Sequence, residues 1–233
     1  MKLAALAAVL GALMACTAAP DPLDNNTPRV EQVQPASFNS KSGLQFKAVD
    51  DGTTYMKELY KEVALDRDRR ARTSGITQEI DQWRFDDHVV TDFYLTGRTP
   101  DTLRLYMEDV AKDDPELSVP TGREVVFGKI TPLLWRTYLV HADAELDASH
   151  LANAAISLDP ETTRTLVTFD FTAEGARLFG EITARISGHK LAVLLDGHVT
   201  SAPVINGAIE GGRAQVTFSG ETEAKTFIDS LSL

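Results

Sequence analysis

Cysteine is nearly missing from this chain: one stands at position 16 among 233 residues. An intrachain disulfide is therefore excluded, and so is a cysteine-held zinc. Basic residues are also few, 23 against 34 acidic ones, for a net charge of −11. Nucleic-acid binders need clustered Lys and Arg to neutralise phosphates, so that class is excluded. The same deficit opposes adsorption onto an anionic membrane surface. Long apolar runs are lacking too. The one candidate, residues 3–14, is shorter than the ~20 residues that span a bilayer. What remains, 43% hydrophobic and 24% charged residues, suits a globular protein of one or two domains with a sizeable core.

The first sixteen residues, MKLAALAAVLGALMAC, have the form of an export signal. Lys2 gives the positive end, Leu3 to Met14 the apolar stretch, and Ala15 the small residue before cleavage. Leu13-Met14-Ala15-Cys16 resembles the lipobox of bacterial lipoproteins. That resemblance implies diacylglyceryl attachment to Cys16, whose thiolate is the nucleophile, and a lipid bilayer as partner. Several acyl chains make such an anchor effectively stable. Thr17 in place of Asp implies the outer membrane by the family's sorting rule. Without Lys2 the mature chain keeps 22 basic and 34 acidic residues, near −12. Residues 16–43 read as a tether, because Pro20, Pro22, Pro28, Pro35 and Asp24-Asn25-Asn26-Thr27 cannot build a core.

Beyond the tether the chain divides at about residue 130 into an α+β amino-terminal region, 44–130, and a carboxy-terminal domain, 131–233. Leu44 to Val49 alternates as a strand, and Tyr55 to Ala64 has helical spacing with Met56, Leu59, Tyr60 and Val63 on one side. DRDRRAR, Asp66 to Arg72, reads as a solvated helix end or loop of mixed charge in preference to a docking patch for an acidic partner. Val89 to Leu95 predicts a strand. Thr99 can cap a helix that Pro100 and Asp101 open. A loop at 112–122 leads to a short strand at Glu124 to Phe127. Residues 50 to 130 yield no functional reading.

In the carboxy-terminal part, Trp135 to Ala142 predicts a strand and Asp147 to Ile156 a helix with Leu151, Ala154 and Ala155 inward. Arg164 to Phe171 alternates as a strand. Thr172 caps a helix carrying Leu178, Phe179, Ile182 and Ile186 on one face, with Gly188 as its stop. Leu191 to Leu195 and Val199 to Ile205 flank Asp196-Gly197, a pair suited to a type I′ hairpin turn. Pro203 marks its strand as an edge or a change of direction. Ala214, Val216 and Phe218 alternate again, and Glu221 to Leu231 closes as a helix. The order predicts an α+β layer, helices packed on one face of a mainly antiparallel sheet.

Chemistry-bearing patterns are sparse. His88, His141, His150, His189 and His198 show no metal spacing. Asp143, Glu145 and Asp147 lack the glycine and distal glutamate of an EF-hand loop. There is no nucleophile elbow, P-loop or dinucleotide fingerprint. His198 and Ser201, three apart on a strand, face opposite sides. The expectation is a non-catalytic protein with no metal and no cofactor.

One ordered series stands out. It comprises Val167-Thr168-Phe169, then Glu174-Gly175-Ala176 with Phe179, then Leu191-Ala192-Val193. Leu195-Asp196-Gly197, Val199, Ser201-Ala202-Pro203, Ile205, Gly211-Gly212 and Glu223-Ala224 complete it. Over residues 137 to 231 this series resembles the head of the first periplasmic domain of the export factor SecD. The resemblance implies a SecD head-like fold and contact with unfolded polypeptide or translocon components. The partner-binding candidates are the hairpin residues Asp196, Gly197, Ser201, Pro203 and Ile205. SecD couples proton flow through membrane-buried ionisable groups; no such segment follows the signal in this sequence, so the resemblance does not extend to energy-driven pulling. The reading is a lipid-anchored envelope protein with an accessory or polypeptide-binding role in export. A scaffolding lipoprotein with no export role and an undetected hydrolase stand beside it.

Overall fold

A computed structural model describes residues 43–65 and 74–231. The expected export signal, Cys16, nearly all of the expected tether and the charged stretch Asp66 to Arg72 lie outside the described residues. Strand β1 (Gln45–Ala48) leads into helix α1 (Thr54–Leu65) and the hairpin β2 (Ile76–Phe85) and β3 (His88–Gly97). Helix α2 (Pro100–Asp113) precedes a second hairpin, β4 (Arg123–Thr131) and β5 (Leu134–His141). A two-residue β6 (Leu146–Asp147), β7 (Leu151–Leu158) and β8 (Thr165–Phe171) follow, then helix α3 (Ala173–Arg185). The hairpin β9 (Leu191–Leu195) and β10 (His198–Ser201), β11 (Arg213–Phe218) and helix α4 (Glu221–Leu231) complete the chain.

The fold is α+β with mainly antiparallel pairing. Eight strands form one sheet in the order β2-β3-β5-β4-β10-β9-β1-β6, and β11-β8-β7 form a second. The β4–β10 pair alone is parallel among the described strands. Five strands of the large sheet close on themselves. β5 pairs β4, β4 pairs β10, β10 pairs β9 and β9 pairs β1. The chain leaving β1 returns to β5 through a Val49–Val140 bridge and the Asp50 N–H bonded to Leu139 C=O at 2.8 Å. Period-2 alternation then sends Val49, Val126, Val140, Ala192, Leu194 and Val199 to the inside, where all six are buried.

The outer faces of this ring serve two further cores. On one, Leu59, Leu95, Leu103 and Tyr106 of α1, β3 and α2 pack over Phe127 and Leu139. On the other, α3, α4 and the three-stranded sheet share a core with Phe46, Leu191 and Val193. Phe46 is its hub, with the rings of Phe169, Phe171 and Phe179 at 5.7–6.4 Å. So a strand from the amino-terminal region sits inside the carboxy-terminal core, and the β4–β5 hairpin straddles residue 130.

Three elements differ from the sequence expectation. The segment 147–156 is not a helix. Asp147 and His150 form a capping box around one 3-10 turn, and the chain then runs as β7. A bulge between Leu151 and Asn153 buries Leu151, Ala154 and Ala155, a three-four spacing that imitates a helix face. β2 was not foreseen, because as an outer strand it carries mostly polar residues. The strand at Glu124 to Phe127 extends to Thr131.

Candidate functional site

The predicted I′ turn is present: Asp196 and Gly197 take φ of 49° and 78°, and the Asp196 N–H bonds Gly43 C=O. This pair is the exposed end of a ring strand. Ser201 lies opposite Val193 past an irregularity at Thr200. Pro203 gives its C=O to the Leu191 N–H at 3.0 Å. Ile205 is not a surface residue: 3% exposed, it belongs to the α3/α4 core. β10 is likewise not an edge strand, since β9 and β4 flank it. β10 ends at Ser201, two residues before Pro203, and the chain then keeps its register against β9 through an isolated Lys190–Val204 bridge.

Residues that sequence reasoning passed over lie beside this hairpin. Lys190, just before β9, reaches Asp92 of β3 at 2.6 Å and Asp81 of β2 at 3.1 Å. Arg136 of β5 bonds the same two carboxylates, each at 2.7 Å. Its guanidinium is sandwiched between Tyr94 at 3.5 Å and Tyr138 at 4.3 Å, and Lys190 lies over Trp83 at 4.7 Å. Asp51 accepts the Lys190 backbone N–H at 2.7 Å. Lys190, Arg136, Asp92 and Asp51 are all buried. At the far end of the ring Lys47 bonds Glu124 at 2.5 Å and Ala142 C=O at 2.6 Å. Each mouth of the ring is thus stoppered by charge. The signal in sequence is a cation at the head of an otherwise buried strand, Lys190 in KLAVLL and Arg136 in LWRTYLV.

The electrostatics of the cluster are uneven. Burial, reinforced by Asp92, pushes the Asp51 carboxyl up to about 7 against the pull of Lys190 and Arg136. Asp81 goes the other way: burial alone would raise it, but Arg136 and Lys190 together hold it below its ordinary value. Burial raises Tyr94 and Tyr138, so both phenols stay protonated. Two buried atoms, Asp51 Oδ1 and Arg136 Nε, lack a hydrogen-bond partner. The cluster clamps the start of β9 to the β2–β3 hairpin.

Groups that could do chemistry are dispersed. His198 packs at a tilt against Trp135, ring centroids 5.3 Å apart, and its Nδ1 meets Asp196 C=O. Asp147, Ser149 and His150 bond one another, but as the cap of a 3-10 turn. Among the described residues no three His, Cys, Asp or Glu side chains are grouped to hold a metal. No described helix is long and apolar enough to cross a membrane. A cavity of about 240 Å³ between α2 and β4 is lined chiefly by Tyr55, Met107, Leu117, Val125 and Phe127.

Residues 129–229 match the family described as SecDF, P1 head subdomain. The chain carries a SecD-like head domain. The protein translocase subunit SecD of Desulfurispirillum indicum is 31% identical over 153 residues, 65% of this chain and 27% of that protein. SecD of Rickettsia prowazekii is 43% identical over 72 residues, 31% of this chain and 14% of its own length. The chain thus spans only about a quarter or less of these two relatives. A crystal structure of SecDF in a super-membrane-facing form overlays 91% of this chain and 30% of that one at 23% identity, TM-score 0.38. In the SecD-like head several residues serve the architecture. Thr172 caps α3 through the Gly175 N–H, and a Cβ on Gly175 would stand 2.4 Å from His150 C=O. Phe179 belongs to the Phe46 cluster, and Gly212 C=O holds the Phe171 N–H.

Proposed function

We propose that this chain is a non-catalytic, lipid-anchored envelope protein whose SecD-like head contacts unfolded polypeptide as an accessory to protein export. The match of residues 129–229 to the head subdomain carries the reading. The relatives named as translocase subunits supply the export context. The head has a capped α3, an I′ hairpin and a well-packed core. The anchor rests on Cys16 within Leu13-Met14-Ala15-Cys16, with the outer membrane implied by Thr17. Translocon components are the second class of partner, and no nucleic acid is expected.

The test is photo-crosslinking in intact cells, with a photoreactive residue on the exposed face of the 198–204 segment. Recovery of exported precursors in transit or of translocon subunits supports the proposal. Recovery of neither, from cells in which the protein is abundant and folded, overturns it.

A further inference from the structure

We propose that the outer side of Ala202–Ile205 is a docking edge at which an extended polypeptide adds itself to the ring as a strand. This rests on the polypeptide-contact reading above and gives it an address. Past the irregularity at Thr200 one register holds: Ser201 faces Val193 and Val204 faces Lys190. The bonds are Leu191 N–H to Pro203 C=O at 3.0 Å and Ile205 N–H to His189 C=O at 2.9 Å. In an antiparallel ladder such flanking bonds make Lys190 and Val204 a non-hydrogen-bonded pair, whose own N–H and C=O point away from each other's strand. Lys190 obeys: its N–H goes to Asp51 and its C=O takes the Val49 N–H.

Val204 therefore turns its N–H and C=O to the opposite side, and Ala202, two residues earlier, does the same. The strand on that side is β4, and it pairs with β10 only at His198 and Val199. Among the described residues nothing bonds the outward groups of Ala202 or Val204. The amide that Pro203 lacks would have pointed inward, so proline removes no donor from the outer side.

An extended chain is the occupant that fits. The strip offers two N–H and two C=O groups at strand spacing, a pattern that only another extended backbone complements. Its side chains, Ser201, Ala202, Pro203 and Val204, are small and uncharged. The outer strand β2, by contrast, carries Glu79, Asp81 and Arg84, the usual protection of an edge. Main-chain recognition tolerates any side-chain sequence. So short a strip gives a transient contact, whereas a stable homodimer buries 2,000 Å² or more.

The experiment uses the full chain and, as probe, fluorescein-labelled α-lactalbumin, reduced and carboxymethylated so that it stays unfolded. Val204→Pro removes one outward donor and leaves both inward bonds of the register; Val204→Thr keeps the donor. Anisotropy should show at least fivefold weaker probe binding for Val204→Pro and a change within twofold for Val204→Thr. In the unsubstituted chain, amide exchange at Ala202 and Val204 should be fast and should slow when probe is added, which reads the site even if Val204→Pro fails to fold. Unchanged affinity in a folded Val204→Pro, or exchange unaffected by bound probe, overturns the docking edge while leaving polypeptide contact standing. No binding by the unsubstituted chain sinks both. Slowed exchange that tracks protein concentration without probe assigns the edge to a second copy and overturns the proposal.

Discussion

Lys190 Nζ lies 2.6 Å from Asp92 Oδ2 although 98 positions separate the two residues. The bond fastens the start of β9 to β3, and Arg136 takes the same oxygen at 2.7 Å. Asp92 is thus the more deeply buried of the two carboxylates, with Asp81, that both cations share. Removing one partner of a buried ion pair typically costs about 3–5 kcal/mol, because the remaining charge has no solvent to turn to. Asp92→Ala is expected to lower unfolding stability on that order in urea titrations. A loss under ~1 kcal/mol would show that water already screens the cluster.

Asp51 gives the cluster a pH dependence of definite sign. Its folded-state pKa of about 7 lies above that of the unfolded chain, near 3.9. The folded form therefore holds the extra proton between those values. Its stabilising effect is complete below about pH 4 and lost as pH rises through about 7, by at most ~1.4 kcal/mol per unit. Asp51→Asn keeps an oxygen for the Lys190 N–H and cannot ionise. Its stability relative to the unsubstituted chain should climb across that window and then level off. Asp92, Asp81, Arg136, Tyr138, Tyr94, Lys190 and His189, the last at 3.8 Å, stay in place in both, so the difference isolates Asp51. A flat difference from pH 4 to 8 would contradict this.

Phe46 predicts that the two halves do not melt separately. It is 1% exposed within the α3/α4 core yet comes from the amino-terminal region. Phe46→Ala should destabilise by about 3–5 kcal/mol. Far-ultraviolet dichroism and the fluorescence of Trp83 and Trp135 should report one coincident transition in the parent chain. Two separated transitions would instead support independent units divided near residue 130.

Gly175 is constrained by approach, not by φ. An added Cβ would meet the His150 carbonyl at 2.4 Å, so α3 must shift away from the 3-10 turn. Gly175→Ala should cost roughly 1–3 kcal/mol, as overpacking does, despite alanine's better helix propensity. A stabilised variant in thermal melts would be the contrary result.

The proposed anchor rests on Cys16. Cys16→Ser is expected to move the protein from the detergent to the aqueous phase of a Triton X-114 partition and to abolish labelling by a fatty-acid analogue. Retention in the detergent phase would place the attachment elsewhere.

The parts legible in sequence were those whose physics is local. α3 and α4 announce themselves by caps and apolar stripes, and the β9–β10 turn by a dipeptide that accepts positive φ. The reading failed where one position was inserted into a ladder: the bulge at β7 converted alternation into a helical spacing. It failed again at β2, whose polar face gave no period to detect. The charge cluster was out of reach for a different reason. Asp51, Asp81 and Asp92 look like ordinary solvated acids until partners about a hundred residues away are brought against them. Of the hairpin candidates, Ile205 turned inward, while the groups left unpaired belong to Ala202 and Val204.

β1 waits longest for its neighbour. Gln45 must meet Leu194, about 150 positions later, and at roughly 5–20 residues per second a ribosome needs on the order of ten to thirty seconds to supply it. Phe46 has no aromatic nest until Phe169, Phe171 and Phe179 are made, and the ring lacks a stave until β9 follows them. The nascent chain is thus kept from closing its ring until β9 has been made.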